Sequence, residues 1–161
     1  MYSIRLIQPE DNAQIAAIIR RVSQEFGLAA ESGFAVGDSI LDKLYQVYQQ
    51  SNSAYWVIID KQNIIYGGGG IAPLQGDANI LEIQKMYFLP EIRRQGLAKK
   101  VLELAFEFAQ AHHINAVYLE TTKALWQAVR LYKKLGFEHL DSPKGNTGHS
   151  EACEIWMLKK L

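Results

Sequence analysis

Met86-Tyr87-Phe88-Leu89-Pro90-Glu91-Ile92-Arg93-Arg94-Gln95-Gly96-Leu97-Ala98-Lys99-Lys100 is the stretch on which the fold turns. An apolar strand end, a proline-marked turn, a basic loop and a helix start follow one another without a break. Beyond it, Val101, Leu102, Ala105, Phe106 and Ala109 keep helical spacing, so the loop opens the clearest amphipathic helix of the chain. The first N–H groups of a helix have no intrahelical partner, and the helix dipole makes that end electropositive. Such an end binds phosphate oxygens. Gly96 removes the side chain that would keep a diphosphate from the backbone, and the small Ala98 helps in the same way. Arg93, Arg94, Lys99 and Lys100 add formal charge around them. A strand before and a long helix after are the context an anion-binding turn requires, and they favour that reading over an ordinary cap.

Working outward from this turn, Ile80–Phe88 precedes it as a strand, reached through a Gln75–Asn79 turn from Ile64–Leu74. Tyr55–Asp60 is the strand before that, and the three read as an antiparallel meander. Tyr2–Ile7 alternates as a first strand. Pro9-Glu10-Asp11 then starts a helix carrying Ile15, Ile18, Ile19, Val22 and Phe26. Gly27–Gly37 is a loop, and Asp38 is placed to cap a second helix with Leu41, Leu44, Val47 and Tyr48 on its stripe. On the other side, Asn115–Thr121 is a strand. A helix bearing Ala128, Leu131, Tyr132 and Leu135 ends at Gly136, a left-handed cap. Phe137–Leu140 and Cys153–Leu158 are two final strands joined by the polar loop Asp141–Ala152. The order β-α-α-β-β-β-α-β-α-β-β predicts an α/β fold: a mixed sheet in which a meander feeds a parallel β-α-β crossover, with helices on both faces.

The 161 residues fit one domain, 1–161, with no repeat or linker. Seventeen basic and seventeen acidic residues cancel, which argues against a nucleic-acid partner, since neutralising many phosphates takes a net positive field. Any anionic ligand must therefore be caught by a local cluster. A single cysteine, Cys153, forms no internal disulfide. With neither a signal-like N-terminus nor an apolar run near the ~20 residues of a membrane helix, a cytoplasmic protein without a membrane partner is expected.

The chain resembles the GNAT acetyltransferase superfamily. The family's pyrophosphate signature, Arg/Gln-x-x-Gly-x-Gly/Ala, is matched by Arg93, Gly96 and Ala98. A second signature, Ala-x-x-Leu-Tyr-x-x-x-Gly-Phe, is matched by Ala128, Leu131, Tyr132, Gly136 and Phe137. The element order agrees over essentially the whole chain, more clearly in its C-terminal half. One departure stands out. Many members carry Asn three residues before the alanine, where its amide contacts the cofactor, and here that position is Leu125 beside Trp126.

The resemblance implies an N-acetyltransferase that moves acetyl from acetyl-CoA to a primary amine of a small molecule or peptide, by direct attack of the amine on the thioester. A non-catalytic acyl-CoA-binding or sensor domain of the same fold is the alternative, and a homodimer through a sheet edge stays open. The cofactor-binding set becomes Met86, Tyr87, Phe88, Arg93, Arg94, Gln95, Gly96, Leu97, Ala98 and Lys99. Backbone groups of Met86–Phe88 would hold the pantetheine arm and polarise the acetyl carbonyl. Tyr132 is placed near the sulfur as general acid. Glu82 or Glu120, on the two strands where the family puts its base carboxylate, would take the amine proton, with Gln84 on the same strand face as Glu82. A base is needed because an alkyl amine of pKa ~10.4 is neutral at pH 7 only about once in 2,500 molecules. The acceptor pocket is expected from Gly27–Gly37, the second helix and the Asp141–Ala152 loop.

Other features have plainer readings. Gly67-Gly68-Gly69-Gly70 lacks the spacing of a nucleotide loop and reads as a bulged or closely approached strand. No metal-ligand spacing links His112, His113, His139, His149 and Cys153. Cys153 reads as a small buried residue opening a strand, and His149 as part of a mobile polar loop with a weaker claim to substrate contact.

Overall fold

A computed structural model describes residues 1–28 and 37–161. Among the described residues seven strands form one mixed sheet in the order β1-β2-β3-β4-β5-β7-β6. They are β1 (Ser3–Leu6), β2 (Ala54–Ile59), β3 (Ile65–Leu74), β4 (Asp77–Phe88), β5 (Ala116–Thr121), β6 (Glu138–His139) and β7 (Ile155–Lys160). The helices are α1 (Asn12–Glu25), α2 (Leu44–Val47), α3 (Leu97–Ala111) and α4 (Trp126–Lys134). Strands β1 to β4 pair antiparallel in sequence order, and the one parallel pairing joins β4 to β5 across α3. This is the mixed sheet that the element order predicts.

The alternating faces of the strands divide the core in two. On one face Trp56, Ile58, Ile71 and Leu81 bury against Val101, Leu102 and Ala105 of α3 and Val129 and Tyr132 of α4. On the other, Tyr55, Val57 and Ile65 bury against Ile15, Ile19 and Val22 of α1, with Leu44 of α2 and Tyr48 just after it.

Four sequence expectations are corrected. The turn after β3 is only Gln75-Gly76, because Asp77 already pairs with Leu74 and Gly76 takes a left-handed φ of +95°. The second helix is a 3-10 turn, Leu41–Lys43, running into a single α-turn, and its cap comes from α1, where Asn12 Oδ1 accepts from the Tyr45 N–H at 2.8 Å. Asp38 is drawn instead to the side chains of Lys85 and His149, described below. The last two strands are displaced from Phe137–Leu140 and Cys153–Leu158. Strand β6 has two residues, extended by the Leu140 N–H donating to the Trp156 carbonyl at 2.8 Å, and β7 starts at Ile155. Cys153 therefore lies in the preceding loop.

The four glycines lie in β3, and the register slips between Gly68 and Gly70. Side chains, rather than a ligand, occupy the space they leave. A Cβ on Gly70 would stand 2.6 Å from the Tyr55 ring and 2.8 Å from the Tyr48 ring, and one on Gly68 would stand 2.7 Å from Tyr55. Opposite them, β4 carries the extra residue of the bulge, and Lys85 there adopts φ +51°. Bulges of this kind re-aim side chains and turn a carbonyl out of the ladder. The Lys85 carbonyl accepts a hydrogen bond from the Tyr55 hydroxyl at 2.8 Å.

Candidate active site

Strands β4 and β5 pair only at Leu81–Val117 and Glu82–Tyr118. Beyond those pairs β4 continues to Phe88 and β5 to Thr121 without bonding each other, so the sheet opens into a wedge. Gln84, Tyr87 and Phe88 pair with β3 on one side, which leaves the other edge of this segment facing the wedge. Met86 and Phe88 pack partly buried against one core and Tyr87 into the other, as expected of side chains chosen for packing.

Two cavities meet at the wedge. The larger, about 750 Å³, runs from Met86–Phe88 past Arg93, Arg94, Gly96, Leu97, Ala98 and Lys99 to α4. The smaller, about 370 Å³, contains Glu82, Gln84, Glu120, Asp38, Lys85 and His149. Met86, Tyr87, Leu125 and Tyr132 line both, so Tyr132 stands where the two join.

The loop before α3 has the form of an anion cradle. Gly96 is the N-cap with φ +76°, a conformation that L side chains rarely adopt, and a Cβ there would touch nothing within 4 Å. No side chain among the described residues caps the helix, and its first backbone bond runs from the Lys100 N–H to the Gly96 carbonyl. The N–H groups of Leu97, Ala98 and Lys99 thus face open space at the positive end of a fifteen-residue helix. Among the predicted residues, Arg93 stands apart. Its guanidinium is held by Glu25 through two 2.7 Å bonds, and its Nε donates to the Phe88 carbonyl at 2.9 Å. It also lies 5.2 Å over the Phe26 ring. Arg93 ties α1 to the loop, while Gln95 donates its side-chain N–H to the Glu91 carbonyl at 2.9 Å. Lys99 sits 3.8 Å from Glu103 on the exposed face of α3.

Glu82 and Glu120 face the same cavity in different states. Glu120 accepts the Tyr118 and Ser150 hydroxyls at 2.6 Å each and the Thr147 hydroxyl as well. It is an anchor for the 141–152 segment. Glu82 is 9% exposed and, among the described residues, accepts one hydrogen bond, from the Gln84 side-chain N–H at 2.7 Å. Burial pushes its carboxyl up to about 7; the Gln84 bond opposes that rise and the charge of Glu120 adds to it. Glu82 is therefore the carboxylate with a free oxygen and a proton affinity near neutrality.

Tyr132 is 7% exposed, and burial pushes its phenol well above the usual value, so it keeps its proton at neutral pH. Burial also pushes the Cys153 thiol up to about 12, with the charges of Glu120, Glu154 and Glu82 adding to the rise, which leaves no thiolate for nucleophilic work.

The segment expected to be a mobile loop is pinned. The Lys144 N–H donates to the Tyr118 hydroxyl at 3.1 Å, and the Asn146 N–H donates to the Gln75 carbonyl at 2.6 Å. His149 Nε2 lies 3.2 Å from Asp38, whose other oxygen accepts from Lys85 Nζ at 2.9 Å. Burial would raise the Asp38 carboxyl, but the bonds from His149 and Lys85 and the charge of Lys85 hold it below its usual value. Asp38 and Lys85 were missed as site residues because their partners lie far along the chain. Of the acceptor pocket expected from Gly27–Gly37, residues 29–36 lie outside the described residues.

Comparison with known proteins identifies the family. The model of the acetyltransferase (GNAT) family matches residues 20–137. The Escherichia coli (strain K12) protein named uncharacterized N-acetyltransferase YjgM is 50% identical over 159 residues, covering 98% of this chain and 94% of its own length. A GNAT-family acetyltransferase structure from Staphylococcus aureus Mu50 superimposes with a TM-score of 0.83 at 18% identity, covering 100% of this chain and 99% of that one. The PaiA N-acetyltransferase of Thermoplasma acidophilum, solved with coenzyme A, gives a TM-score of 0.74 at 19% identity, covering 100% of this chain and 99% of that one. The chain belongs to the GNAT acetyltransferase family and is an acetyltransferase. No helix among the described residues is long and apolar enough to cross a membrane.

Proposed function

We propose that this protein transfers the acetyl group of acetyl-CoA to a primary amine of a small molecule or peptide, with Glu82 as general base and Tyr132 as general acid. One observation carries the reading. Tyr132 lines the junction of two cavities, one holding an uncapped helix N-terminus and the other a buried carboxyl with a free oxygen.

The N–H groups of Leu97, Ala98 and Lys99 hold the cofactor's diphosphate, with Arg94 and Lys99 supplying charge and Gly96 the clearance. Arg93 and Gln95 keep the loop in shape for that contact. The open edge of Met86–Phe88 accepts the pantetheine arm and offers N–H groups to the acetyl carbonyl as charge gathers on its oxygen. Bound in this way, acetyl-CoA supplies a thioester carbon as electrophile. The acceptor amine enters through the smaller cavity, gives its proton to Glu82 and forms the new N–C bond. As the C–S bond breaks, Tyr132 donates its proton to the departing sulfur, and the second proton shed by the acylated nitrogen restores the phenol.

Glu82 is preferred over Glu120 because Glu120 already accepts three hydroxyls. An amine-panel assay that detects released coenzyme thiol tests the reading, with Glu82→Gln and Tyr132→Phe beside the wild type. Both variants should lose turnover at saturating substrate. Wild-type turnover in either one removes the role assigned to it.

A further inference from the structure

Tyr48, at the end of α2, is buried at 3% exposure, far in sequence from the residues that bind the donor. Its hydroxyl donates to Gln84 Oε1 at 2.7 Å, and Gln84 Nε2 donates to Glu82 Oε1 at 2.7 Å. The ring that makes this contact packs on Tyr55, 5.1 Å between centroids, in space that exists because residue 70 is glycine. We propose that Tyr48 is a positioning residue that orients the Gln84 amide so that its N–H faces Glu82, leaving the second carboxylate oxygen free for the acceptor amine. The inference rests on the assignment of Glu82 as the base.

Hydrogen-bond chemistry fixes the direction of this chain. A carboxylate only accepts, so the amide must turn its N–H toward Glu82, and its carbonyl then needs a donor inside the protein. The Tyr48 phenol is that donor. Burial raises it well above its usual value, so it does not ionise in the working range. Donation to one end of an amide polarises the other end, and the Gln84 N–H becomes a stronger partner for the ionised form of Glu82. Without Tyr48 the amide carbonyl is left without its donor and the carboxylate is held less firmly.

The other charged or titratable groups around Glu82 among the described residues stay in place when Tyr48 is changed. They are Lys85 and Tyr87 on β4, Glu120 and Tyr118 on β5, Tyr132 on α4, Asp38 ahead of α2, and His149 and Cys153 on the segment between β6 and β7.

Tyr48→Phe keeps the ring and removes the donor. The acid-limb midpoint of kcat/KM should move upward by about 0.5–1 pH unit, a three- to tenfold loss of activity below it, because a single hydrogen bond is at stake. The 13C resonance of the Glu82 carboxyl, identified by its absence in Glu82→Gln, should titrate with the same displacement in the free protein. In a Gln84→Leu background, Tyr48→Phe should move neither midpoint further, since the link is already cut. Coincident midpoints for Tyr48→Phe and wild type overturn the proposal, as does an equal displacement in the Gln84→Leu background. If Tyr48→Phe shows no cooperative melt, Gln84→Leu with Tyr48 intact carries the test, and an unmoved midpoint there overturns it. A Glu82→Gln enzyme that keeps the wild-type acid limb would reject the base assignment itself. A limb lost in Glu82→Gln but unmoved in Tyr48→Phe rejects Tyr48 alone.

Discussion

Replacing Glu82 by Gln should make the protein more stable as it makes it less active. The carboxyl binds its proton more tightly in the folded chain, at about 7, than at the ordinary value of 4.5, and the first cause is burial. A carboxyl shifted in that direction costs nothing below pH 4.5, where it is protonated in both states. Stability then declines as pH rises from 4.5 to 7 and levels off above, because the folded form must give up a proton it holds well. The displacement corresponds to roughly 3 kcal/mol at pH 8. Glutamine is nearly isosteric, never ionises, and its carbonyl oxygen can still accept the Gln84 N–H. Thermal melts of Glu82→Gln and wild type, recorded every half unit from pH 4.5 to 8.5, should coincide at the acid end. They should separate to roughly 6–12 °C in favour of the variant at pH 8, at 2–4 °C per kcal/mol for a domain of this size. Turnover at pH 8 should fall by about 10²- to 10⁴-fold, the usual contribution of a general base. A difference in Tm that does not vary with pH, or a variant less stable than wild type at pH 8, would refute the argument that burial strains this carboxyl.

Three further outcomes test neighbouring parts of the site. Tyr132→Phe retains the ring against Phe137 and should melt close to wild type while kcat drops about 100-fold or more; equal kcat at saturating substrate contradicts its role. Gly96→Ala meets no atom but must adopt φ +76°, so chemical denaturation should report a loss of about 1 kcal/mol, and calorimetry a weaker affinity for coenzyme A. Gly70→Ala forces a methyl group into the rings of Tyr48 and Tyr55 and should cost about 1–3 kcal/mol in urea unfolding, with an acid-limb midpoint displaced like that of Tyr48→Phe.

What could be read in the sequence was local. The turn before α3 depends on Gly96 and on the helix that starts beside it, so nearest neighbours were enough to read its shape. The glycine run was legible as a bulged strand, but its occupants, Tyr48 and Tyr55, come from two other elements, the end of α2 and β2. Asp38 looks like a helix cap to its neighbours, and only the folded chain brings Lys85, 47 residues on, within 2.9 Å of it. Glu82 and Glu120 could not be separated for the same reason. The hydroxyls that occupy Glu120 include Thr147 and Ser150, 27 and 30 residues away, and hydroxyl residues in a polar loop carry no signal of where they will dock. Arg93 fits the anion-binding pattern, yet its guanidinium is held by Glu25, 68 residues earlier.

The parting of β4 from β5 has a bearing on how such a protein can change. Along Met86–Phe88 the unpaired rim of the sheet is peptide, which every amino acid except proline supplies with the same N–H donor and carbonyl acceptor. Substitutions at these positions can therefore follow the demands of the two cores while the rim keeps its spacing of donors and acceptors. The smaller chamber has no such freedom, because its character comes from individual side chains such as Asp38, Lys85 and Glu120. A new appetite for acceptors can thus be written into one half of the wedge while the grip of the other half stays as it was.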